Sequence, residues 1–411
     1  MSAGYNIKGD IDKAKVNKSI HQIIEKYEIL RTNFIEINGI PYQKINAAKN
    51  LKFEIVVLQL EDNTIEEVIN QLINIEFNLE KEALIRVQLL KLETNQHLLL
   101  FSTHHIIMDG LSLEIFIKEF IQNYNENAQD LTKGNVLKLQ FKDYSEWFNK
   151  SIEVNQSKNE LFWKNYLQNY KPKDSFDRDF GVQNNKQNGS KLKLELTKEV
   201  TLHLKKLAAE KEVTFYTLLV TSINVLIYKL SNHLDICIGT VNSGRNVTEL
   251  NDQIGMFVKT LVLRTQVQSE QTFASLLETV DDNILEIIDY LDVPFDKIPP
   301  NIFDVMLVYQ NPEFSFEDTI ELNELQLTSY PIDSKFSRMP MVFNLFESKH
   351  QLKGIVDYNS DLFEEDTIQI IVSKFSKMLN EIALNPLIKI GEIEDKLEQE
   401  INTKLDFDFN F

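Results

Sequence analysis

The stretch "HLLLFSTHHIIMDG", residues 97–110, places two adjacent histidines, His104 and His105, at the end of an apolar run, with Asp109-Gly110 shortly after. A neutral imidazole is the side chain best suited to handle a proton near neutral pH. Adjacent residues at a strand end point in opposite directions, so one histidine can face a cavity while the other packs inward. Alternation alone does not say which. Asp109 could orient a histidine, as in a catalytic triad, or pair with a cation and hold the loop. Gly110 permits close backbone approach and puts an N–H at a helix start, where a developing oxyanion could be stabilised. The plain alternative is a hydrogen-bonded core histidine beside an Asp-Gly turn. On the loop alone the two readings stand level. A metal site is disfavoured, because HExxH and cysteine clusters are absent. GxxxxGK[ST], GxGxxG and GxSxG are absent too, which disfavours nucleotide, dinucleotide and serine-hydrolase chemistry.

The flanking pattern positions these residues. Leu84–Leu92 and His97–Thr103 are β-like runs joined by the polar turn Glu93–Gln96, so a hairpin is expected. Beyond Gly110 the period changes: Leu113, Phe116, Ile117, Phe120, Ile121 and Tyr124 fall on one helical face. The histidines therefore sit at a strand–loop–helix junction. Upstream, "KSIHQIIEKYEILRTNF" reads as one helix. The Asn-, Lys- and Asp-rich stretch from Tyr166 to Lys191 is the best domain boundary. After it come helices near 198–210 and at "TFYTLLVTSINVLIYKL", then strands at "DICIGTV" and "MFVKTLVLRT". The helix "FASLLETVDDNILEIIDYL" follows, then strands "FDVMLVYQ", "MVFNLFES" and "LKGIVDY" and a final helix over about 365–384. Two α+β lobes with antiparallel-looking strands are expected.

A chain of 411 residues can hold two or three domains. Lys+Arg 43 against Asp+Glu 62 gives a net charge of −19, which argues against a phosphate-backbone binder and so against nucleic acid as partner. The single cysteine, Cys237, excludes a disulfide framework and reads as buried packing. No signal peptide or membrane-length apolar run is visible, so a cytoplasmic location without membrane association is expected.

The loop resembles the HHxxxDG signature of condensation domains from nonribosomal peptide synthetases, shared in shorter form with chloramphenicol acetyltransferase-like enzymes. Further segments match in order. "YEILRTNF" (27–34) resembles RHExLRTxF, with Lys26-Tyr27 replacing Arg-His, and "FNLEKEALIRVQLLKL" (77–92) resembles the lead into the active-site strand. "FKDYSEW" (141–147) is similar to YxDYAVW. "IGTVNSGRN" (238–246) and "IGMFVKTLVLRT" (254–265) resemble the IGxFVNTxxxR region, with Lys259 in place of Asn. "YLDVPFDKI" (290–298) is similar to HQDxPFEKL, and "YNSDLFEEDTI" (358–368) to the segment before the last helix.

The resemblance implies an α+β fold: two chloramphenicol acetyltransferase-like lobes in a V-shaped pseudo-dimer with a tunnel between them. Residues 1–172 would be the N-terminal lobe carrying HHxxxDG, 173–390 the C-terminal lobe and 391–411 a tail or linker. It implies an acyltransferase that forms an amide between a donor aminoacyl or peptidyl thioester and an aminoacyl acceptor. The "IGMFVKTLVLR" and "FDVMLVYQN" segments lean toward joining an L-donor to an L-acceptor. No cofactor is bound; donor and acceptor peptidyl carrier proteins deliver substrates on 4′-phosphopantetheine, with an adenylation domain adjacent, and the chain is expected to be monomeric. His105 would contact the attacking amine and Gly110 contribute to an oxyanion site. His104 and Asp109 would support the loop, with Arg31 or Lys26 as the cation for Asp109. Trp147 is expected to be a packing anchor, "VPFD" (293–296) turn and core, and "SGRN" (243–246) either a crossing loop between lobes or an ordinary turn. The opening SxAQxRLW block is missing, so an N-terminal strand is expected to be lost or shortened, and the RDxSRNPL block is reduced. Epimerisation, ester formation, or a non-catalytic carrier-docking remnant are the alternatives.

Overall fold

Strand β1 (Ser2–Lys8) leads into helix α1 (Lys13–Lys26), whose first turn is capped by the Asp12 carboxylate accepting from the N–H groups of Ala14 and Lys15. The structure, a computed structural model, describes residues 1–50, 53–59, 64–93, 95–125, 137–181, 187–292, 297–310, 319–322, 325–332 and 335–393. The helix expected to continue to Phe34 stops at Lys26. A 3₁₀ turn (Glu28–Arg31) follows, then the hairpin β2 (Thr32–Ile37) and β3 (Ile40–Ile45). Its turn is Asn38-Gly39, both at positive φ, the chemistry a tight hairpin needs. Next come β4 (Val56–Gln59), α2 (Ile65–Ile73), β5 (Ile85–Glu93), β6 (Gln96–Thr103), α3 (Gly110–Asn125) and α4 (Phe141–Tyr166).

The rest of the chain runs β7 (Gly189–Glu195), α5 (Lys198–Glu210), α6 (Phe215–Ser231), β8 (Asp235–Asn242), β9 (Lys259–Gln266) and α7 (Phe273–Ile288). It finishes with β10 (Val305–Gln310), β11 (Thr319–Leu322), β12 (Leu325–Tyr330), β13 (Met341–Ser348), β14 (Gln351–Asn359) and α8 (Glu365–Leu384). The expected β5–β6 hairpin and α3, α5, α6, α7 and α8 are all present. Each of these segments carried a long, consistent period. The 293–296 segment lies outside the described residues.

The chain forms two compact units: Met1–Ser151 with Ser243–Lys259 and Phe314–Asp333, and Ile152–Asn242 with Thr260–Glu313 and Ser334–Phe411. These boundaries differ from a contiguous division at 172 and 390. Helix α4 runs unbroken across residue 151, and two later segments belong to the first unit. Residues 391–393 are part of the second unit's packing, with Ile393 buried and Gly391 N–H donating to Ser269 O.

In the first unit the sheet order is β11-β12-β1-β6-β5-β4. The N-terminal strand expected to be lost or shortened is not lost: it is present over Ser2–Lys8 and internal, paired antiparallel to both β6 and β12. Of this strand Ile7 is a fully buried core residue and Tyr5 packs partly buried against the core, so "SAGYNIK" carries a weak apolar signature and its strand state comes from its neighbours. Alternation along β5 and β6 sends Val87, Leu89, Leu99 and Phe101 toward α1 and α3, and Leu90 and Leu98 toward α2.

In the second unit the order is β7-β14-β13-β10-β8-β9. Strand β10 is parallel to β13 and to β8, and in the first unit β4 is parallel to β5, so the antiparallel reading fails at these pairs. Strand direction depends on connections that local alternation does not encode. Helix α6 is buried from Thr217 to Ile227, and Phe375 of α8 packs against Phe343 of β13 at 5.6 Å between ring centroids. No single described helix is long and apolar enough to cross a membrane.

Phe375→Ala empties a fully buried site, so the urea midpoint should fall by an amount equivalent to about 3–5 kcal/mol. Leu384→Ala, on the same helix but 71% exposed, should stay within about 0.5 kcal/mol. Similar losses for both would contradict this account of the core.

Candidate active site

Strand β6 ends at Thr103, and the chain then makes a 3₁₀ turn over His105–Ile107 before α3 starts at Gly110. The two histidines part as strand alternation allows. His105 is exposed, and His104 is half-buried. The His104 N–H donates to Leu84 O at 2.9 Å, and its Nδ1 accepts the Ile106 N–H at 3.1 Å. That acceptor role assigns the proton to Nε2 and a neutral ring. The ring meets Phe77 edge-on, centroids 6.2 Å apart at 88°. His104 thus caps the turn that presents His105.

Asp109 is 2% exposed. Its carboxylate receives both terminal nitrogens of Arg245, Nη1 to Oδ2 at 2.9 Å and Nη2 to Oδ1 at 3.0 Å. Ser112 N–H donates to Oδ1 at 2.8 Å, and Phe257 N–H to Oδ2 at 3.0 Å. The first of these makes Asp109 the cap of α3. Arg245 also reaches Ser112 Oγ at 2.8 Å and Gln253 O at 3.2 Å, and its guanidinium lies 4.4 Å from the Phe257 ring centroid. With both side chains 3% exposed, this bidentate pair is a buried one. With Arg245, Ser112 and Phe257 as its partners, Asp109 holds the loop.

The loop that supplies Arg245 is tightly fitted. Gly244 sits at φ +68, and a Cβ there would lie 2.0 Å from Phe257 O. A Cβ on Gly255 would lie 2.1 Å from the Phe141 ring. Gly255 O accepts from Asp109 N–H and Ser112 Oγ, while its N–H donates to Ser112 Oγ. Gly110 is the first residue of α3, where helix geometry leaves its N–H and that of Leu111 without intrahelical acceptors.

The cations expected for Asp109 are used elsewhere. Arg31 donates to Asn46 O at 2.6 Å and lies 3.7 Å from Glu28. Lys26 pairs with Glu119 of α3 at 2.5 Å. Motif position suggested them, whereas the true partner lies 136 residues downstream in "SGRN", with no local signal linking it to Asp109. Ser112 escaped sequence reasoning for the same reason, and Gly255 and Phe257, although inside the 254–265 segment, carried no sign there that they meet the Asp109 end of the loop. Tyr27, standing where the family motif has His, donates to Glu119 and to Asp252 O. Burial first, then the Glu119 charge, pushes its hydroxyl well above the usual tyrosine range, so it is a donor at neutral pH. It joins α1, α3 and the 243–259 segment.

Trp147 is 56% exposed, so the expected anchor is instead Tyr144, which packs on Phe257 at 4.7 Å and on Phe148 at 5.5 Å. Cys237 is buried, and burial pushes its thiol up to about 12, which removes it as a nucleophile near neutral pH.

Arg245→Gln leaves Asp109 buried without its counter-charge and should lower unfolding stability by about 3–5 kcal/mol. Arg31→Gln should cost about 1–2 kcal/mol, since it removes one hydrogen bond and a long ion pair. Asp109→Asn combined with Arg245→Gln should cost less than the sum of the single changes. Additive losses in a double-mutant cycle followed by urea unfolding would exclude a direct pair.

The family model for the condensation domain matches residues 1–403. Gramicidin S synthase 2 of Aneurinibacillus migulanus is 29% identical over 98% of this chain, which spans 9% of that protein. Bacitracin synthase 3 of Bacillus licheniformis is 30% identical over 97% of this chain, which spans 6% of it. Among solved structures, the X-domain from teicoplanin biosynthesis superposes with a TM-score of 0.82 at 21% identity, covering 96% of this chain and 92% of that one. A holo four-domain nonribosomal peptide synthetase bound to AMP and glycine gives 0.84 at 19%, covering 97% and 32%. The chain spans less than a tenth of either of these two synthetases, and over nearly all of its own length it belongs to the condensation domain family.

Proposed function

We propose that this domain forms a peptide bond in nonribosomal peptide synthesis, between an aminoacyl or peptidyl thioester donor and an aminoacyl thioester acceptor. Both substrates arrive on the 4′-phosphopantetheine arms of carrier proteins, with an adenylation domain in the same assembly. The observation that carries the reading is the division of the histidine pair. His104 is engaged in shaping the turn, and His105 stands exposed at the end of the strand, next to the start of α3.

The acceptor amine attacks the donor carbonyl, a tetrahedral oxyanion forms, and its collapse expels the donor thiolate while the new C–N bond remains. His105 contacts the amine and either accepts its proton or orients its lone pair. The Gly110 N–H at the helix start is the candidate donor to the oxyanion. Asp109 and His104 act at a distance by holding the loop. The sequence segments at 254–264 and 303–311 support the type that joins an L-donor to an L-acceptor.

The test is reconstitution with loaded donor and acceptor carriers, followed by mass spectrometry of the carrier-bound product. A dipeptidyl thioester is expected, with His105→Ala reducing its formation by roughly 10²–10⁴-fold at unchanged fold. An epimerised aminoacyl carrier would move the assignment to a sister activity. Absence of either product, with His105→Ala indistinguishable from wild type, would remove catalysis from this loop.

A further inference from the structure

We propose that Arg86 is a positioning residue for the reaction, setting the geometry of the histidine loop through Phe77 and His104. The inference rests on the reading of His105 as the group that contacts the amine, and it adds a second arginine to the one that holds Asp109. Arg86 lies on β5 with its side chain 19% exposed. Its guanidinium stacks on Phe77, 3.8 Å from the ring centroid. It also donates to Ile75 O and Glu76 O at 2.8 Å each, and to both oxygens of Glu82 at 3.1 and 3.2 Å.

One planar cation therefore gathers the 75–82 segment against β5. Glu82 in turn accepts the Asn78 N–H, while Asn33 from β2 donates to Leu79 O and Glu82 O. What this clamp presents to the loop is the Phe77 ring, edge-on to His104. His104 then caps the turn carrying His105 through Nδ1. The loop is thus anchored at both ends. Arg245 holds the Asp109 end by buried hydrogen bonds, and Arg86 holds the His104 end by a stacked ring. A lysine at 86 keeps the charge but loses the planar stack and the fork that reaches two carbonyls and a carboxylate together. Shifts of about 1 Å at a reacting group cost up to ~10²-fold in rate, so a loosened Phe77 should register in turnover before it registers in substrate binding.

The test uses Arg86→Lys and Phe77→Leu in the full chain with loaded carriers. Each should lower kcat by about tenfold or more while the KM for both carriers stays within about twofold, and the double variant should be no worse than the poorer single one. In parallel, ¹⁵N spectra of the His104 ring should show the Nε2–H tautomer in wild type and a mixture of tautomers in both variants. Losses in kcat that rise in step with KM and with lowered melting temperature, with the His104 tautomer unmoved, would reduce Arg86 to a stabilising residue. Unchanged kcat and unchanged tautomer would overturn the proposal outright. If wild type forms no amide, the function reading fails while the tautomer readout still decides for or against positioning by Arg86.

Discussion

The carboxylate of Asp109 receives four N–H groups, two from Arg245 and one each from the backbones of Ser112 and Phe257. Burying two charges is costly, and mutual attraction offsets the desolvation only where the remaining hydrogen-bonding capacity is also met. Here the carboxylate is engaged by four N–H groups, and Arg245 extends to Ser112 Oγ and Gln253 O, leaving only its buried Nε without a hydrogen-bond partner among the described residues. One interaction thus locks the start of α3, the end of the histidine turn and the 243–257 loop into a single arrangement. The value of such a pair lies more in specifying one geometry than in net stability, since well-packed apolar groups often replace a buried ion pair at no loss. That is what a loop presenting an exposed histidine requires.

The surrounding glycines follow from that constraint. Bringing the Gly255 backbone close enough to serve Asp109 and Ser112 leaves no room for a Cβ against the Phe141 ring, and at Gly244, next to Arg245, a Cβ would meet Phe257 O. The aromatic set of Phe141, Tyr144 and Phe257 then closes over the pair, with Phe257 lying across the guanidinium. Tyr27 adds a further tie from α1 to α3 and to Asp252. Where the family pattern has Arg-His, Lys26-Tyr27 still fastens α1 to Glu119 of α3, by an ion pair and a phenol hydrogen bond.

Much of the fold was readable where a period persisted. The 113–124 face, the apolar run of α6 and the β5–β6 pair all repeat long enough for the pattern to determine the element. Reading failed at β1 and at the start of β2. "SAGYNIK" is short and its partners lie far away in sequence, at 96–102 and 326–330, while "TNFIEI" pairs locally with 40–45 across Asn38-Gly39 but directly follows the helical period that ends at Lys26. It failed also at the parallel pairs, because strand direction is a property of the connections.

The sequence by itself determined the chemistry available at this site: two histidines, an aspartate and a glycine between a strand and a helix, in the order shared by condensation domains. It also allowed the two histidines to face different ways, since adjacent residues at a strand end alternate. Tertiary structure alone decided which faces which way, through the Ile106 N–H and the Phe77 edge that engage His104. It alone chose Arg245 over Arg31 and Lys26 as the partner of Asp109. The reason is physical: a hydrogen bond spanning 136 residues depends on where two loops are carried by their sheets and helices, and no local periodicity records that distance.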